Sequence, residues 1–183
     1  MSSRSFLGIV LATLILFAWG MLMHVGLHEG LEAITIMDVS QEDQVVEMVQ
    51  EPGVTLPDGV YMGSRGIFLV VNTLADGTNV LSGLSFPMVL IVQLIICAMV
   101  AGFLAIVVGQ LPEKSIRQRA MLLGFMGLAA GIFVCLPQWT FYGFGWKLTV
   151  VKILDIAGGW FLAGLVLARL RQNMTSSVPD PSS

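Results

Sequence analysis

Four long apolar runs constrain this chain more than any other feature, because a helix of about 20 residues crosses a hydrocarbon core of about 30 Å. They cover about residues 6–27, 87–108, 120–136 and 148–168. The third is the shortest and can extend into the aromatic segment after it. In lipid each backbone N–H and C=O needs an internal partner, so runs of this kind become helices. Charge content agrees: 11% of the 183 residues are charged and 56% are hydrophobic, whereas about a quarter of a soluble domain is charged. The predicted fold class is an all-α membrane protein, a four-transmembrane-helix bundle forming one integral membrane domain over 1–183. Two cysteines exclude a disulfide scaffold and a net charge of −3 excludes a basic nucleic-acid binder. The expected surroundings are a lipid bilayer, with no nucleic acid as partner.

The basic residues set the direction. Arg4, then Lys114, Arg117 and Arg119, then Arg169 and Arg171 fall at one side of the runs, against Arg65, Lys147 and Lys152 at the other. The positive-inside rule reads this as both termini cytoplasmic, with 172–183 as a disordered cytoplasmic tail. Residues 29–85 then face outward, and they hold nine acidic residues and one arginine. A rival reading takes the first run as a cleaved signal peptide, with Arg4 as its charged start and Ala18 and Gly20 as small residues for cleavage. Against that, the run continues past Trp19 to Leu27, longer than such a segment needs.

The outward segment predicts a small α+β extracytoplasmic insertion, or cap, between helices 1 and 2. Ser40, Glu42 and Asp43 suit a helix N-terminus, giving a short amphipathic helix over 41–50 that Glu51-Pro52-Gly53 ends. Pro57-Asp58-Gly59 is turn chemistry, 66–71 reads as a strand, and Ala75-Asp76-Gly77-Thr78 as a hairpin turn into a second strand over 79–81. The segment has few large apolar residues, so it is expected to pack on the membrane domain or on a partner. It also lacks cysteine, which excludes thiol–disulfide exchange on that side. Cys97 and Cys135 read as buried structural thiols.

Each run also carries a seam of small or polar residues at helical spacing. The third aligns Ala120, Gly124, Gly127, Gly131 and Cys135; the second Gln93, Cys97, Ala101 and Ala105. The fourth aligns Lys152, Asp155, Gly159 and Ala163; the first Thr13, Phe17, Gly20, His24 and His28. Small residues let helix backbones approach closely in lipid, so Gly124, Gly127, Gly131 and Gly159 are expected at helix–helix contacts.

The polar members of these seams define a candidate intramembrane site, Asp155 with Lys152 and Gln93, in the outer half of the bilayer. An ionised group there is costly and seeks a partner. Lys152 is three residues from Asp155, so the two can pair along the helix while the lysine snorkels outward; alternatively Asp155 meets His24 of the first helix. His24, His28 and Glu32 are spaced i, i+4, i+8 and form a candidate metal site, set against wetted interfacial histidines. His28-Glu29-Gly30-Leu31-Glu32 matches the first part of the zinc-protease helix motif but has Glu32 where the second histidine belongs. Residues 137–146 hold five aromatics and read as an outer loop at the headgroup level, with contact to a partner or a quinone-like ligand as the alternative.

Phe17-Ala18-Trp19-Gly20 with His24, followed by Pro57-Asp58-Gly59-Val60-Tyr61, resembles a loosely defined group of uncharacterised bacterial inner-membrane proteins. These share a first helix with a Trp-Gly and histidine pattern and an outer loop with a Pro-Gly-Tyr-like motif. In this chain Asp58 separates the proline from the glycine. The resemblance implies the bacterial inner membrane and brings no activity, cofactor or ligand. With no catalytic constellation in view, the expected function is non-enzymatic: an accessory or assembly subunit working with other membrane subunits or with itself. The alternatives are a metal-, haem- or small-ligand-binding membrane protein built on the outer His/Asp/Glu residues, and a small oligomeric transporter.

Overall fold

A computed structural model describes residues 3–23, 59–62, 68–71, 86–111, 114–142 and 144–175. Four helices account for most of them: α1 Ser3–Leu22, α2 Phe86–Gly109, α3 Ile116–Tyr142 and α4 Trp146–Thr175. All four are long and apolar enough to cross a membrane. Their apolar residues also face outward: Phe133 is 82% exposed, Phe141 76% and Met99 70%. A helix that is apolar all round and still uncovered has lipid as its natural solvent. This is the architecture of a multi-pass membrane protein.

The chain divides into two compact units, Met1–Ala33 with Val92–Ser183, and Ile34–Ile91. In the second unit, β1 (Gly59–Met62) pairs antiparallel with β2 (Phe68–Val71), Gly59 opposite Val71 and Met62 opposite Phe68. β2 lies in the run expected to be a strand, but its partner precedes it, directly after the expected Pro57-Asp58-Gly59 turn, where no strand was expected. The expected helix 41–50, turn 75–78 and strand 79–81 lie outside the described residues. An α+β insertion is therefore not supported; one strand pair is what stands among the described residues.

In the first unit α4 is central, because both α1 and α3 lie close along it. The α3–α4 contact runs antiparallel through glycine. A Cβ on Gly124 would lie 3.2 Å from Phe161 Cβ, one on Gly127 2.9 Å from the Ile156 carbonyl oxygen, and one on Gly131 3.1 Å from Ile153 Cα. Gly164 answers from α4, with Ala120 Cα at 3.1 Å. The seam expected on α3 is thus its contact face, with Ala120, Gly127, Gly131 and Cys135 all buried. Without a hydrophobic drive between helices in lipid, such close backbone packing is a main source of association.

α1 also lies antiparallel to α4, since Gly8 meets Leu167 and Leu170 while Trp19 meets Gly158 and Gly159. The start of α1 and the end of α4 therefore lie at the same end of the bundle. The face α1 uses overlaps the expected one only in part. Gly8, Ala12, Met23 and, from the expected seam, Thr13 are buried and Leu16 and Trp19 reach α4, whereas Gly20 has nothing within 4 Å of a Cβ position. The contact face is centred about one residue from the expected seam; the large Trp19 side chain, and not the smallest residue, sets the contact. α2 joins through side chains, with Ala101, Leu104 and Val108 in one core with Ala12, Leu123, Ala163, Leu167 and Ala168.

Two boundaries move. α3 continues through Pro137 to Tyr142, so most of the expected aromatic loop is helix. Proline is tolerated in membrane helices where local adjustments re-satisfy the backbone, and Thr140 Oγ1 donates to the Leu136 carbonyl (3.1 Å) just beyond it. α4 reaches Thr175, so the first part of the expected tail is helical too; 176–183 lie outside the described residues. α3 opens on a reciprocal cap: Gln118 N–H donates to Ser115 Oγ (3.3 Å) and Ser115 N–H to Gln118 Oε1 (3.0 Å). Each satisfies an orphan donor of the helix start. Ser115→Ala is expected to cost about 1 kcal/mol in denaturant unfolding, with Ser115→Thr near neutral.

Candidate functional site

Lys152 and Asp155 lie in the part of α4 that follows the α3–α4 turn. Lys152, half-buried, donates from Nζ to Gln138 Oε1 at 3.4 Å and stands 5.4 Å from the centroid of the Phe144 ring. Side chains on a helix lean toward its N-terminus, which carries the ammonium toward the turn and away from Asp155, one helical turn deeper. The lysine reaches a polar and aromatic cap at the turn.

Asp155 is half-buried where α1 meets α4, and its backbone carbonyl accepts the Trp19 indole N–H at 2.9 Å. The indole can come that close because Gly158 and Gly159 leave the α4 surface bare. A Cβ on Gly158 would lie 2.8 Å from Trp19 Cζ2, and one on Gly159 3.0 Å from Cδ1. Trp19 is the site residue that sequence reasoning missed as a contact. The signal was the Gly158-Gly159 step, since two adjacent glycines in one helix make a shelf wide enough for a ring.

Cys135 is 2% exposed, and both Lys152 and Asp155 are near enough to act on it electrostatically. Cys97 is also buried, and both thiols are free. The structure thus brings Lys152, Asp155 and Cys135 into one neighbourhood. Gln93 does not join them: it is exposed on α2, with Nε2 3.9 Å from Cys97 Sγ of its own helix. His24, His28 and Glu32 lie outside the described residues. Among the described residues no group of three His, Cys, Asp or Glu could hold a metal ion.

What the cluster holds is a lysine cation bound to Gln138 beside the Phe144 ring, and a half-buried aspartate whose backbone carbonyl accepts the Trp19 indole.

α2 behaves differently at its two ends. From Cys97 onward its buried residues recur at helical spacing, Cys97, Ala101, Leu104 and Val108. Before Cys97, the five consecutive residues Val92, Gln93, Leu94, Ile95 and Ile96 are all exposed. Five residues pass more than once around a helix of 3.6 residues per turn, so among the described residues no neighbour covers a side of this stretch. No protein-family model, curated protein or solved structure matches the chain.

Proposed function

We propose that this chain is a non-catalytic accessory or assembly subunit of a bacterial inner-membrane complex, with both termini cytoplasmic, and that the Val92–Ile96 stretch of α2 receives a helix of another subunit. The basic residues at the terminal end of the bundle favour that orientation. The carrying observation is Gln93, an exposed carboxamide on a stretch that no neighbour covers among the described residues. An amide facing hydrocarbon is unfavourable unless it is hydrogen-bonded, and its long contact to Cys97 Sγ leaves capacity for more. Gln side chains in membrane helices meet that need by bonding across to a neighbouring helix.

Purification from native membranes in mild detergent tests the reading. The chain is expected to co-purify with a defined membrane partner, and Gln93→Leu to weaken the complex about fivefold, the equivalent of one interhelical hydrogen bond of about 1 kcal/mol. Recovery as a lone monomer, or a complex indifferent to Gln93→Leu, would overturn it.

A further inference from the structure

A cleft of about 510 Å³ lies between α1, α2 and α4 at the end of the bundle that carries the start of α1 and the end of α4. That volume falls within the range of about 300–1,000 Å³ seen for ligand sites. Its walls are small or aliphatic, with Gly8, Ile9, Gly102 and Ala105 among them, and a Cβ on Gly102 would meet nothing within 4 Å. Its polar members, Ser5, Gln110 and Arg171, come from the start of α1, the end of α2 and the end of α4, so they share one end of the cleft. The site is apolar along its length and polar at the membrane surface.

Arg171 is what gives this cleft a chemical preference. Its Nη1 lies 2.8 Å from where a Cβ on Gly109 would be, so the absence of a side chain at 109 is what lets the guanidinium lie over the end of α2. The carbonyls of Val107 and Val108 at that helix end already accept from Gln110 and Leu111 N–H. Arg171 makes no hydrogen bond or ion pair among the described residues. The sequence around it, 109–119 and 166–175, carries Lys114, Arg117, Arg119 and Arg169 against one acid, Glu113, which lies outside the described residues. A half-buried guanidinium at the mouth of an apolar cleft, in a basic surround, matches an anion attached to a hydrocarbon chain. Basic pockets between membrane helices take lipid headgroups in this way, and guanidinium binds phosphate oxygens bidentately.

We propose that the cleft binds one anionic glycerophospholipid, its acyl chain against Gly102 and Ala105 and its phosphate on Arg171. The lipid fills space between α2 and the α1–α4 pair. The site is independent of the subunit contact at Gln93, which lies on the half of α2 away from this cleft.

Native mass spectrometry of the delipidated full chain tests this, using phosphatidylglycerol, phosphatidylcholine of the same acyl chains, and inorganic phosphate as probes. One phosphatidylglycerol is expected to be retained at least fivefold better than phosphatidylcholine, and inorganic phosphate not to displace it. Arg171→Gln should bring phosphatidylglycerol down to the phosphatidylcholine level, Arg171→Lys should recover part of the preference, and Arg169→Gln, an equal charge change outside the cleft, should leave it intact. Gly102→Leu should reduce retention of both lipids while helicity is unchanged. Equal retention of the two lipids, displacement by phosphate, insensitivity to both Arg171→Gln and Gly102→Leu, or an equal loss with Arg169→Gln would each overturn the proposal.

Discussion

Replacing Gly127 by leucine is expected to separate α3 from α4. The first added carbon would already lie 2.9 Å from the Ile156 carbonyl oxygen and 3.0 Å from Trp160 Cβ. A backbone oxygen cannot swing aside as a side-chain tip can, so the helices must part. Overpacking a tight contact costs about 1–3 kcal/mol, and leucine's three further carbons put this substitution at the upper end. In lipid the loss is larger in consequence than in water, because no hydrophobic drive keeps the parted helices together. Gly20→Leu is the matched control, since nothing lies within 4 Å of its Cβ position; it is expected to stay within about 0.5 kcal/mol. Unfolding in denaturing detergent, followed by tryptophan fluorescence, reads both, with Trp160 placed at the α3–α4 contact. Equal stability of the two variants would mean that the glycine seam does not hold the bundle.

The α3 seam could be read from the chain because its logic is local. Glycines three and four residues apart share a face whatever lies opposite, and in lipid a bare face has few uses other than close packing. Apolar length likewise located all four helices, since the bilayer fixes how long a span must be. Contact faces set by partners were harder to see. The face of α1 depends on Gly158 and Gly159, more than a hundred residues away in sequence, and Gly20 was a plausible but unused member. Spacing brought Lys152 within reach of Asp155, yet gave no sign of the cap made by Gln138 and Phe144. The cap exists because α3 runs on through Pro137, and a proline reads as a stop in any water-based rule. Gln93 was grouped with Asp155 by depth alone; depth is legible in a sequence, but the splay of a helix away from its neighbours is not. The cleft at Arg171 needed three helix ends to be in place, and each of its residues alone reads as packing or as a topology signal.

Removing the Trp19 indole is the second change with a large expected effect, because it loosens the α1–α4 contact near the end of α1. Burying a whole tryptophan and then truncating it costs about 3–5 kcal/mol; Trp19 is half-buried, so Trp19→Ala is expected to cost about 2 kcal/mol. Trp19→Phe keeps most of the ring contact and loses the hydrogen bond to the Asp155 carbonyl, a loss of about 1 kcal/mol. The decisive comparison pairs the ring with its shelf. Gly158→Ala places a methyl 2.8 Å from Trp19 Cζ2, so in the native background it should displace the indole and destabilise the protein by about 1–2 kcal/mol. In the Trp19→Ala background the same methyl enters vacated space, and its helix propensity exceeds that of glycine by about 1 kcal/mol. There Gly158→Ala should be neutral or stabilising. The resulting coupling is expected at about 2 kcal/mol, within the range seen for residues in direct contact, and measurable by the same detergent unfolding. An equal cost for Gly158→Ala in both backgrounds would show that the indole does not rest on the α4 glycines, and the α1–α4 pairing built on that contact would have to be abandoned.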